Sequence, residues 1–153
     1  MKFSGTLIAV KNMTRSRRFY TELLGMQVTA DFGENITLDR MLSLQTCDSW
    51  KNLIGREPGP PDDTSELYFE TENFDAFVER AAQVRLDYLH LPQTEPWGQR
   101  TVRFRDPDGH IIEVGEDMKE VALRFLDSGL TVAETARRMD VPIEWVQERT
   151  GRC

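Results

Sequence analysis

Apolar and polar positions along the chain change period several times, and the changes mark the elements. Ser4–Val10 alternates loosely and is rich in strand formers. Phe19, Leu23 and Leu24 then recur at helical spacing, with Thr14 suited to cap that helix and Gly25 to stop it. Strands are expected over 26–32, 35–39 and 40–46. In the last of these Leu42 and Leu44 point to one face, and Met41, Ser43 and Gln45 to the other. Residues 50–65 are loaded with Pro, Gly and Asp and read as the main linker.

After the linker the order restarts. Residues 66–71 form a strand, and Asn73 is placed to cap a helix whose apolar stripe is Phe74, Phe77, Val78 and Ala81. Strands follow over 86–91, 101–104 and 110–114, with Asp106–Gly109 as a hairpin turn between the last two. Val10–Met13 and Thr71–Phe74 occupy the same place in the two halves, which supports an internal repeat. From Asp117 onward the period is helical. Met118, Val121, Ala122, Phe125 and Leu126 form one stripe, Thr131 and Glu134 have the spacing of a capping box, and Pro142 opens a last helix.

The 153 residues suit one domain with a small appendage, and the formal net charge of −7 disfavours nucleic acid and anionic membranes as partners. No apolar run has the length to span a bilayer, and the N-terminus reads as a strand rather than a signal peptide. Cys47 and Cys153 make no disulfide framework, so a cytoplasmic setting is expected, with Cys47 a buried, inert thiol.

Two stretches, Val10–Met26 and Pro96–Val114, carry a resemblance to the vicinal oxygen chelate superfamily, which includes glyoxalase I, bleomycin-resistance proteins, fosfomycin-resistance enzymes and extradiol dioxygenases. It covers about residues 1–115. It implies an α+β fold: two βαβββ modules (about 1–49 and 66–115) form a cup-shaped mixed sheet around a small-molecule site, followed by a helical, helix-turn-helix-like extension over 116–153. In metal-dependent relatives four strands supply ligands to a divalent ion, and a homodimer is expected by analogy.

By local pattern those ligand positions fall on Gly5, Ser43, Glu66 and Glu113. Gly5 has nothing to donate and Ser43 is a poor ligand for zinc, nickel or iron, so no tightly bound metal and no other cofactor is expected. A weak Mg²⁺ or Mn²⁺ site on Glu66 and Glu113 stays open as the alternative. Strand alternation turns Glu113 away from the core, and Arg103 is its leading partner. Glu66 and Glu113 are expected to converge on the hollow from separate modules. If their charges interact, one could serve as a general acid or base.

Candidate ligand contacts are Ser43, Tyr68, His90, Trp97 and Arg103; Trp50 is read as a packing residue, Arg100 as solvated and His110 as exposed beside the turn. Residues 130–150 resemble a helix-turn-helix, but residues 116–153 hold eight acids against six bases, and Glu144 and Glu148 sit on the would-be recognition helix. The expected function is therefore binding of a small metabolite or drug. The alternative is a lyase or transferase related to lactoylglutathione lyase and using Glu66 and Glu113.

Overall fold

The computed structural model describes all 153 residues. Two compact units account for the chain: residues 1–65 with 105–110, and residues 66–104 with 111–153. Each carries one four-stranded mixed sheet with βαβββ element order.

The first unit contains β1 (Thr6–Val10), α1 (Met13–Arg18), a π-helical turn (Phe19–Leu23), β2 (Val28–Asp31), β3 (Asn35–Leu38), β4 (Leu42–Thr46) and α2 (Cys47–Ile54). Its sheet order is β1-β4-β3-β2, with β1 parallel to β4 and Ile8 opposite Leu44. Ile8, Val10, Ile36, Leu38, Leu42 and Leu44 are buried, together with Tyr20 and Leu23 from the π-helical turn. On the other face β3 and β4 carry polar side chains: the Asn35 amide donates to Gln45, which donates to Ser49.

Two local expectations are corrected in this unit. Asn12 caps α1, its Oδ1 accepting from the Arg15 amide at 2.9 Å, while Thr14 lies inside the helix. An amide oxygen on an extended residue reaches the free N–H groups of the first turn. Residues 47–54, assigned mainly to the linker, form α2, whose Cys47, Trp50 and Ile54 recur at helical spacing although none of its residues is fully buried. Thr46 caps it and Gly55, at φ 71°, ends it.

The second unit contains β5 (Glu66–Thr71), α3 (Phe74–Ala81), β6 (Asp87–Thr94), β7 (Arg100–Arg105) and β8 (Ile111–Glu116), followed by α4 (Met118–Asp127), α5 (Val132–Met139) and α6 (Ile143–Thr150). The sheet order is β5-β8-β7-β6, with β5 parallel to β8. Asn73 caps α3, and Phe74, Phe77 and Ala81 are buried. Val121, Ala122, Ala136, Met139 and Val146 form the core of the three terminal helices. The Thr131–Glu134 capping box is present. These helices meet the loop before β7 and, through Arg124, Glu116 at the end of β8 in their own unit. Arg124 donates to the Gly98 carbonyl at 2.8 Å, and the Phe125 ring lies so close to Gly98 that a Cβ there would collide with it.

Candidate functional site

In the second unit, β8 is central and buried on both faces. Ile112 and Val114 lie in the core, while Glu113, only 4% exposed, points to the opposite face. A carboxylate removed from water needs a compensating charge. Arg103, on the neighbouring strand β7, supplies it through an ion pair between its Nη2 and Glu113.

The same guanidinium serves other partners. Its Nε donates to Glu66 Oε2 at 2.9 Å, and its Nη1 donates to Glu95 Oε1 at 3.3 Å and to His90 Nε2 at 3.2 Å. With Nε2 accepting, the His90 proton resides on Nδ1, which donates to the Leu91 carbonyl at 2.9 Å. The Thr101 hydroxyl donates to Glu95 at 2.6 Å. That bond, assisted by Gln93 and Arg103 against the opposing effect of burial, holds the Glu95 carboxyl below its usual range.

The structure thus brings Glu66, His90, Arg103 and Glu113 together. It corrects the expectation that the two glutamates come from separate modules. Both belong to the second unit, on the paired strands β5 and β8, where Tyr68 lies opposite Glu113. Glu95 completes the cluster. It sits just past β6, beyond the reach of strand alternation, and nothing in its sequence neighbourhood singled it out.

Tyr68 and Trp97 are joined through Gln99, itself 3% exposed. The Trp97 indole donates to Gln99 Oε1 at 3.0 Å, and Gln99 Nε2 donates to the Tyr68 hydroxyl and to the Glu116 carbonyl, each at 2.8 Å. The Tyr68 hydroxyl donates to Glu70 at 2.8 Å, and burial is the main influence pushing it up to about 12. Arg100, expected to be solvated, instead pairs with buried Glu116 and with Asp75, because the end of β8 needs a cation there.

Gly5 and Ser43 belong to the first unit. Gly5, at φ 141°, lies against the Met41 carbonyl, and any Cβ would strike it. The Ser43 hydroxyl is 3.4 Å from that of Thr37. No group of three His, Cys, Asp or Glu side chains is disposed to hold a metal ion. The donor set does not fit the divalent ion implied by the resemblance: one position has no side chain, one offers a hydroxyl, and both glutamates are engaged by a guanidinium.

A second constellation, in the first unit, went unread in the sequence. Asp106 Oδ1 accepts from the backbone amides of Asp108, Gly109 and His110, closing the hairpin turn. Its Oδ2 accepts from the Tyr20 hydroxyl at 2.8 Å and from His110 Nδ1 at 3.0 Å. His110 is therefore corrected from exposed to mostly covered, its side chain 18% exposed, because Asp106 draws it in. Beside it opens a cleft of about 770 Å³, lined by β1, α2 and the segment after α2, with His110 and Asp108 from the turn. Trp50, read as packing, lines this cleft, and Cys47, read as buried, is partly exposed along it.

The model of the glyoxalase-like domain matches residues 3–119. Among solved structures, a protein of unknown function from Agrobacterium tumefaciens is 30% identical, covers 76% of this chain and 94% of its own, and superposes with a TM-score of 0.70. A glyoxalase-related enzyme from Fulvimarina pelagi (19% identity, 76% and 88% coverage, TM-score 0.66) and a lactoylglutathione lyase from Agrobacterium tumefaciens (20% identity, 76% and 94% coverage, TM-score 0.59) share the fold. No curated protein matches the chain significantly.

Proposed function

The chain belongs to the glyoxalase-like domain family of the vicinal oxygen chelate superfamily, and from that premise we propose that it binds a small organic molecule without the help of a divalent metal. The observation that carries this reading is Arg103. Its guanidinium supplies, from within the chain, the positive charge that Glu66, Glu95 and Glu113 require.

Lyase or transferase chemistry by Glu66 and Glu113 needs a carboxylate free to exchange a proton at the reacting atom. Arg103 engages both, so the binding reading is favoured over the enzymatic one. The test is elemental analysis of purified protein after incubation with Ni²⁺, Zn²⁺, Mn²⁺ and Mg²⁺ in turn, followed by desalting. The expected result is no stoichiometric metal, and one equivalent of any of the four would overturn the proposal.

A further inference from the structure

We infer that the cleft of the first unit is the ligand site, and that it takes a small organic anion with a planar or branched apolar body. This rests on the metal-free binding reading and adds to it a location and a ligand class. The walls are apolar: Leu7 from β1, Trp50 and Ile54 from α2, and Pro61 beyond it. Leu7 and Ile54 are each 37% exposed, so both keep apolar surface open to solvent along the cleft. An indole flanked by aliphatic side chains suits a flat ring or a branched hydrocarbon.

The charges along the cleft decide the sign of the ligand. Of its two acids, Glu57 pairs with Lys51. Asp108 is committed to the Lys11 amide and the Ser16 hydroxyl, each at 3.0 Å, and its side chain is 2% exposed. The two bases, Lys11 and Arg56, have no ion-pair partner. A chain of formal net charge −7 therefore presents an unneutralised positive pair at the edge of an apolar hollow. The Nδ1 of His110 donates to Asp106, which fixes the ring and leaves Nε2 beside the cleft as an acceptor for a hydroxyl or N–H elsewhere on the ligand. An anionic head group has there two cations to meet, and its hydrocarbon part has Trp50.

The experiment uses the full chain and two fluorescent probes, anilinonaphthalenesulfonate and its uncharged counterpart N-phenylnaphthylamine. The sulfonate is expected to bind at one saturable site and to quench tryptophan emission, more tightly than the neutral probe. The exposed double substitution Lys11→Met with Arg56→Met is expected to weaken the sulfonate about tenfold or more, which is about 1.4 kcal/mol, and to leave the neutral probe unchanged. Trp50→Ala is expected to weaken both. Circular dichroism and thermal melting check that each variant folds.

Absence of saturable sulfonate binding, or equal affinity in the doubly substituted protein, would overturn the inference. Those results would leave the metal-free reading standing, because that reading fails only on a stoichiometric metal.

Discussion

The hydroxyl of Tyr20 donates to Oδ2 of Asp106 at 2.8 Å, and both side chains are sealed from solvent. One comes from the π-helical turn after α1 and the other from the β7–β8 turn, 86 residues later. The bond ties the two segments of the first unit's discontinuous chain together. Tyr20→Phe removes one of five donors to a buried carboxylate, and a loss of about 1–2 kcal/mol is expected in urea unfolding. Asp106→Asn also disturbs the His110 contact and the turn, with an expected loss of about 3 kcal/mol.

Acid should weaken the fold through three carboxylates. Burial pushes Asp106 and Glu116 upward, but their hydrogen bonds and cations prevail and hold both below the ordinary values of 3.8 and 4.5; Glu95 is lowered chiefly by Thr101. A depressed folded-state value means the stabilisation is complete above the unfolded value and is lost as pH falls through the folded one. Unfolding free energy is therefore expected to be flat with respect to these groups near neutrality and to decline below about pH 4.5. Denaturant midpoints measured from pH 7 to pH 3 check this, and Asp106→Asn should show a shallower decline.

Arg103→Met leaves Glu113 buried without its cation, and an unpaired buried charge costs about 3–5 kcal/mol. The double substitution Arg103→Met with Glu113→Gln is expected to recover a large part of that loss. If both proteins unfold at the same denaturant concentration, the Arg103–Glu113 pair is not what anchors the cluster.

Thr135 is wholly buried in the terminal helical core, and its hydroxyl has no hydrogen-bond partner. Valine has nearly the same shape without the polar atom. Thr135→Val is expected to raise stability by about 1 kcal/mol, read as a higher melting temperature; an unchanged or lower value would show that the hydroxyl finds a partner in solution.

Much of the fold was legible in the chain because its elements bury one apolar face each. Leu42 with Leu44, Phe74 with Phe77, and Val121 with Ala122 recur at the strand or helix period, and those elements are where the pattern put them. Helix α2 was missed although Cys47, Trp50 and Ile54 recur at the helix period, because the stretch is short and runs straight into the proline-rich segment, and the Asn12 cap was overlooked because Thr14 offered a similar side chain two positions on. In the candidate site, alternation along β8 sent Glu113 to the face opposite the core and suggested Arg103 as its partner. That depends only on which way neighbouring residues of a strand point.

The sequence by itself determined the element order apart from α2, the two repeated βαβββ units and the need of Glu113 for a cation. Periodicity and the desolvation of charge act locally, on residues close in the chain. Only the tertiary structure decided that Glu66 and Glu113 share one guanidinium with Glu95 and His90, that Asp106 holds both Tyr20 and His110, and that Lys11 and Arg56 flank an apolar cleft unpaired. Those relations join groups distant along the chain, and the distances between side chains are fixed by how strands register and loops close, which no local pattern records.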